Sequence, residues 1–137
     1  TPPVELSNGL RTLPQTVLKS SQAWFAVYED EDQVRQLSPD LALLKSLAPL
    51  DVVATAPGSQ QDFVSRYFWP ANGGDEDPVT GSIHAGLAPY WSERLGKTQL
   101  LALQASRRSG LLHCRVEGER VFVAGHAVLY LQGTIEV

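Results

Sequence analysis

The groups best suited to chemistry lie in one continuous stretch, Glu76-Asp77-Pro78-Val79-Thr80-Gly81-Ser82-Ile83-His84. A carboxylate-bearing turn runs directly into small residues that open a predicted helix. The first amides of a helix have no internal partner, and the macrodipole adds about half a positive charge there, so such a start is an anion site. A substrate carboxylate fits at Gly81 and Ser82. Gly81 leaves the backbone uncovered for close approach, and Ser82 adds a hydroxyl donor. Asp77 can orient a substrate amine or hydroxyl, or relay a proton. Asp, Thr and Ser are also the usual helix caps, and in that reading Thr80 or Asp77 satisfies the free amides while Gly81 merely packs. The residues alone leave both readings open. His84, one turn inside the helix, reads as a packing or hydrogen-bonded residue and, with Thr80, is carried as a candidate substrate contact.

These residues need elements to hold them. From Gly81 to Leu95 the apolar and small residues Ile83, Ala85, Gly86, Leu87, Ala88, Tyr90, Trp91 and Leu95 cover most of the helix circumference. That pattern predicts a buried helix, kinked by Pro89 and capped by Gly96. Upstream, Ala23-Trp24-Phe25-Ala26-Val27-Tyr28 reads as a buried strand, and Glu29-Asp30-Glu31-Asp32 as an acidic helix start. Ser38-Pro39-Asp40 opens a second short helix with Leu41, Leu44, Leu47 and Ala48 on one stripe. Asp51 to Ala56 and Asp62 to Trp69 read as strands, the second with Phe63, Ser65, Tyr67 and Trp69 on one face and Val64, Arg66 and Phe68 on the other. Downstream, Gln99 to Ser106, Leu111 to Glu117, Arg120 to Ala124 and Ala127 to Ile135 read as a meander. The fold expected is α+β: a single domain over 1–137 in which a barrel-like, mostly antiparallel sheet wraps around one central buried helix.

Composition excludes several classes. Of the 137 residues, 43% are hydrophobic and 19% charged, a globular profile. The net charge of −4, with no basic tract, argues against nucleic acid, and no apolar run approaches the roughly 20 residues that span a bilayer. Cys114, the single cysteine, permits no internal disulfide and reads as a small buried hydrophobe. That is compatible with a reducing cytoplasm, the location expected. His84, His113 and His126 are scattered and do not form a metal site, the last two reading as surface residues. The chain starts at Thr1-Pro2-Pro3 and contains no methionine, which fits either an excerpt of a longer protein or a trimmed initiator.

Glu76-Asp77-Pro78-Val79-Thr80-Gly81-Ser82, followed by Ala-Pro-Tyr-Trp-Ser-Glu-Arg-Leu-Gly-Lys at 88 to 97, resembles the second-domain signature of the PhzF-like isomerases, the family named after phenazine biosynthesis. Asp62 to Phe68, Gln104 to Gly110 and Val121 to Gly133 match as well, so the resemblance covers most of the chain from about Trp24. Ser109 stands where the family often has glycine, and Asp75 where an apolar residue is common. The resemblance implies the diaminopimelate-epimerase-like fold, two similar domains with the active site between them. It also implies proton transfer on a small carboxylate-bearing metabolite without metal or organic cofactor. Asp77 and Ser82 match the family's second-domain catalytic residues and Gly81 the glycine beside them. Glu76 matches only the residue before the aspartate. The principal acid/base glutamate belongs to the family's first domain, which has no counterpart here, so this chain is expected to be inactive by itself. Diaminopimelate epimerase pairs two cysteines, and the one expected near this helix start is absent; the resemblance therefore implies a carboxylate-driven shift.

Two rivals follow. One is a binding or interaction module that keeps the anion pocket without chemistry. The other is a homodimer placing two Asp77 turns across a symmetric cleft. The partners expected are a small carboxylate and the missing N-terminal domain, with neither nucleic acid nor membrane.

Overall fold

A computed structural model describes residues 1–137. Short helices form where side chains satisfy their free ends. Asp30 accepts from the Gln33 amide while the Gln33 side chain accepts from the Asp30 amide, a reciprocal cap that starts helix α2 (Glu31–Arg35). Asp40 accepts from the Leu43 amide and starts α3 (Leu41–Lys45). These two, with α1 (Val4–Leu10), cover one face of an eight-stranded sheet. The strands are β1 (Thr16–Lys19), β2 (Ala23–Val27), β3 (Asp51–Pro57), β4 (Phe63–Phe68), β5 (Glu76–Asp77), β6 (Gln99–Gln104), β7 (Gly110–Glu117) and β8 (Arg120–Ala124). Helix α4 (His84–Leu95) covers the other face.

The strand order is β1-β2-β3-β4-β6-β7-β8, with β5 paired to β4 beside this path. Most pairings are antiparallel, but β2 runs parallel to β3 and β4 parallel to β6. Parallel neighbours need crossovers, supplied by α2–α3 and by α4. Both crossovers step the same way across the sheet, yet β4 and β6 run opposite to β2 and β3, so one common hand puts their helices on opposite faces. Two cores result. Phe25, Val53, Phe63, Tyr67, Leu100 and Leu112 pack with Ile83, Leu87, Ala88 and Trp91 on the α4 side. Leu6, Leu10, Val34 and Leu44 pack with Ala54, Val64 and Phe68 on the other. Strands β2 to β4 are therefore buried on both faces, which is why their sequences are nearly unbroken apolar runs.

The α+β class and mostly antiparallel sheet agree with the sequence, whereas three expectations are corrected. The sheet is open, ending at β1 and β8, and is not a closed barrel. Helix α4 is not buried all round: Ile83, His84, Leu87, Ala88 and Trp91 are buried, but Ala85 and Gly86 are exposed. Those small residues carry little apolar area, so exposing them costs little. Finally, Ala127 to Ile135 forms no strand; Val128, Leu129, Tyr130, Leu131 and Ile135 are exposed, Tyr130 at 98%. Its apolar run, Ala127 to Leu131, has no strand partner within the sheet. No helix is long and apolar enough to cross a membrane.

Candidate active site

Strand β5 is only two residues long, and its pleat separates the two carboxylates. Tyr67 pairs with Asp77 and Phe68 with Glu76 across β4 and β5. Glu76 is taken by Arg66, whose Nε and Nη2 donate to its two carboxylate oxygens at 2.8 and 3.0 Å. The same guanidinium donates from Nη1 to the carbonyls of Val34 and Leu37 at 3.1 and 2.8 Å, tying β4 and β5 to the end of α2. Glu76 is thus a structural anchor.

Asp77 turns toward Thr80, whose hydroxyl donates to Asp77 Oδ2 at 2.6 Å. The turn is stitched from behind by fully buried Gln104. Its Oε1 accepts from the Thr80 amide at 2.7 Å, and its Nε2 donates to the Asp77 carbonyl at 2.9 Å and to Thr80 Oγ1 at 3.1 Å. Thr80 is therefore occupied on both sides, and neither it nor Asp77 caps α4. The helix has no side-chain cap, and the amides of Gly81, Ser82 and Ile83 donate to no protein acceptor. Between the two readings the sequence left open, simple capping is not what the geometry contains. Three free donors precede a helix of 12 residues. Gly81 and Ser82 are exposed, and a Cβ at Gly81 would meet nothing within 4 Å.

His84 lies behind this surface. Its ring is fully buried against Phe63, with centroids 5.9 Å apart, and Nδ1 donates to the Thr80 carbonyl at 2.7 Å. Burial lowers its pKa to about 4, so the ring is neutral at pH 7. It meets the Asp77 turn through Thr80 and does not line the open surface that Gly81 and Ser82 present.

Four further polar residues gather here. Gln22, in the turn before β2, donates from Nε2 to Ser82 Oγ at 2.9 Å and to Tyr67 Oη at 3.0 Å. Tyr67 donates to Asp51 Oδ2 at 2.5 Å, and Asp51 Oδ1 accepts from Asn72 Nδ2 at 2.6 Å. Burial, and then the Asp51 carboxylate, push the Tyr67 phenol above its ordinary range. Gln104 had a sequence signal, a glutamine at an inward position of the alternating run Leu100, Ala102, Gln104. Gln22, Asp51 and Asn72 had none, because loop and strand-end residues declare no partner until the strands are paired.

The site is an open surface rather than a pocket. A concavity of about 640 Å³ lies elsewhere, between Gln99, His113, Cys114, Phe122 and Val123. Cys114 is buried, and burial pushes its thiol up to about 11. His113 and His126 are exposed and meet edge to face at 5.7 Å. No group of three or more His, Cys, Asp or Glu is placed to hold a metal ion.

The phenazine biosynthesis-like protein model, PhzC-PhzF, matches residues 4–133. An uncharacterized isomerase of Pseudomonas aeruginosa is 52% identical over 134 residues, 98% of this chain and 51% of that protein. A crystal structure of a PhzF family protein from Enterococcus faecalis superposes with a TM-score of 0.89 at 40% identity, covering 96% of this chain and 50% of that one. A PhzC/PhzF protein from Clostridium difficile gives 0.87 at 40% identity, over 100% of this chain and 53% of its own. The chain spans about half the length of each.

Proposed function

The chain belongs to the phenazine biosynthesis-like PhzC-PhzF family, and from that membership we propose that it forms the substrate-anchoring half of an isomerase. The reaction is a cofactor-independent proton shift on a small carboxylate-bearing metabolite. The observation that carries this reading is the surface of free amides at Gly81, Ser82 and Ile83 beside the Asp77 carboxylate. An anion there meets three unpaired donors and the positive end of α4. Negative charge that develops on the substrate when a carbon-bound proton leaves is stabilised by the same donors, which are already fixed and cost no reorganisation.

Asp77 has one oxygen held by Thr80 and one without a protein partner, which suits it to accept a hydrogen bond from a substrate hydroxyl or amine, or to pass a proton. Its partner in catalysis is a glutamate of a preceding domain, which takes the proton from carbon and returns it at a second carbon or at oxygen, so no atoms are gained or lost. Docking of that domain over the open surface completes a diaminopimelate-epimerase-like pair and excludes water from the amides. Thr80 and Gln104 hold the turn, and His84 supports Thr80 from the core. A cytoplasmic location belongs to the same proposal.

The test uses the full-length protein in deuterated water with a panel of small carboxylates, read by NMR. Wild type washes deuterium into at least one of them, and Asp77→Asn slows the exchange by about a hundredfold, the usual scale for losing a positioned acid or base. Saturable carboxylate binding with no exchange by wild type overturns the isomerase reading in favour of a binding module.

A further inference from the structure

Taking the carboxylate site just proposed as its basis, we infer that Gln22, Tyr67 and Asp51 form a relay that fixes Ser82 as a hydrogen-bond donor to the ligand. The site would thereby select an acceptor group, an oxyanion rather than an ammonium, at that position. Hydrogen-bond direction along the relay is forced from its buried end. Asp51 and Tyr67 are both more than nine-tenths buried. An ionised carboxylate only accepts, so in the 2.5 Å contact Tyr67 must donate its single proton to Asp51 Oδ2. The other carboxylate oxygen is held by Asn72 Nδ2. With its proton spent, Tyr67 Oη can only accept from Gln22, so the Gln22 atom 3.0 Å away must be the amide nitrogen and not its oxygen. That nitrogen carries a second proton, directed at Ser82 Oγ 2.9 Å away. Ser82 Oγ therefore accepts, and its own proton has no protein acceptor.

The relay joins the turn before β2, the start of β3, the turn before α4, and β4, segments up to 60 residues apart in sequence. Gln22 is a positioning residue in this scheme. It touches Ser82, and through the hydroxyl's orientation it adds a fourth donor beside the three free amides. A ligand ammonium directed at the same three amides would meet donors where it needs acceptors.

The test is a double-mutant cycle on the full-length protein with acetate as the probe, followed by the amide shifts of Gly81, Ser82 and Ile83. Gln22→Leu should weaken acetate about tenfold, the scale of one hydrogen bond to a charged group. It should do nothing further in a Ser82→Ala background, because its effect runs through that hydroxyl. Gln22→Glu, which offers an acceptor and turns the Ser82 proton away from the ligand, should weaken acetate more than Gln22→Leu does. Tyr67→Phe serves as the second route should Gln22 variants fail to fold, since it frees Gln22 from its anchor and should weaken acetate by a smaller factor. Equal losses from Gln22→Leu in wild-type and Ser82→Ala backgrounds, or no loss in either, overturn the relay while leaving the carboxylate site standing. Absence of acetate-dependent shifts at these amides in wild type overturns the site and the relay together.

Discussion

At His84 the Nδ1 proton is committed to the Thr80 carbonyl, and burial lowers the ring pKa to about 4 against 6.5 for a free histidine. The folded state refuses a proton that the unfolded chain accepts, so this group adds nothing to pH dependence above pH 6.5. Stability then falls as pH drops from 6.5 toward 4, by about 3 kcal/mol over the whole window, and levels off below it. Urea midpoints at pH 7 and pH 5 should therefore differ more for wild type than for His84→Gln. Equal pH slopes would mean the ring is not the protonation-sensitive group. Cys114 makes a complementary prediction. With its thiol buried and raised to about 11, it should resist iodoacetamide at pH 8 in the native protein and react once urea exposes it. Both residues were readable as packed side chains from their neighbours in sequence. The partner that fixes the His84 tautomer was not, since a carbonyl four residues back becomes an acceptor only when the turn takes shape.

Among the elements, β5 depends most on a single contact. Two residues of strand cannot hold themselves, and the Arg66 guanidinium anchors β5 to β4 and to the last turn of α2. Arg66→Ala leaves a half-buried carboxylate and the carbonyls of Val34, Arg35 and Leu37 without their donor, so it should cost about 3 kcal/mol, read as a lower urea midpoint. Amide exchange should quicken first at 76–80, and Asp77 should lose its register against Tyr67. Gly110 gives a second element-level prediction. A Cβ there would lie 2.2 Å from Val79 Cγ2, so Gly110→Ala pushes on the turn that carries Thr80 and should destabilise by about 1–3 kcal/mol. The strand β4 pattern was legible from alternation, with Phe63 and Tyr67 on one face and Val64 and Phe68 on the other. Helix α1 and strand β1 were not, because Val4–Leu10 and Thr16–Lys19 are short and their apolar residues are too few to set a period.

For the whole molecule, the two cores and the exposed C-terminal segment predict a graded response to protease. Chymotrypsin should cut the 137-residue chain first at Leu129, Tyr130 or Leu131, which stand open to solvent, while β1 to β8 remain intact. Early cuts within β2 to β4 would contradict the double burial of those strands. In the full-length protein the same sites test the proposed domain pairing. Protection there would show that a partner surface covers the segment, as expected for a contiguous run of exposed apolar side chains.

The sequence by itself determined the elements whose identity rests on local chemistry: the acidic start of α2, the alternation in β4, the small residues Gly81 and Ser82 beside Asp77, and the family signature that runs through them. Only the structure showed that α4 begins at His84, beyond those small residues. Tertiary structure decided what depends on pairing between distant segments. Parallel neighbours β2–β3 and β4–β6 put α4 on one face and α1 to α3 on the other, which no local period encodes. It also decided that Thr80 serves Asp77 and leaves the amides of Gly81, Ser82 and Ile83 ahead of α4 free, with Gln104, 24 residues away, holding Thr80 in place. And it brought Gln22 to Ser82 across 60 residues. The physical reason is the same in each case. A side chain's intrinsic preference is local, but a hydrogen bond needs both partners, and the second partner is chosen by the path of the whole chain.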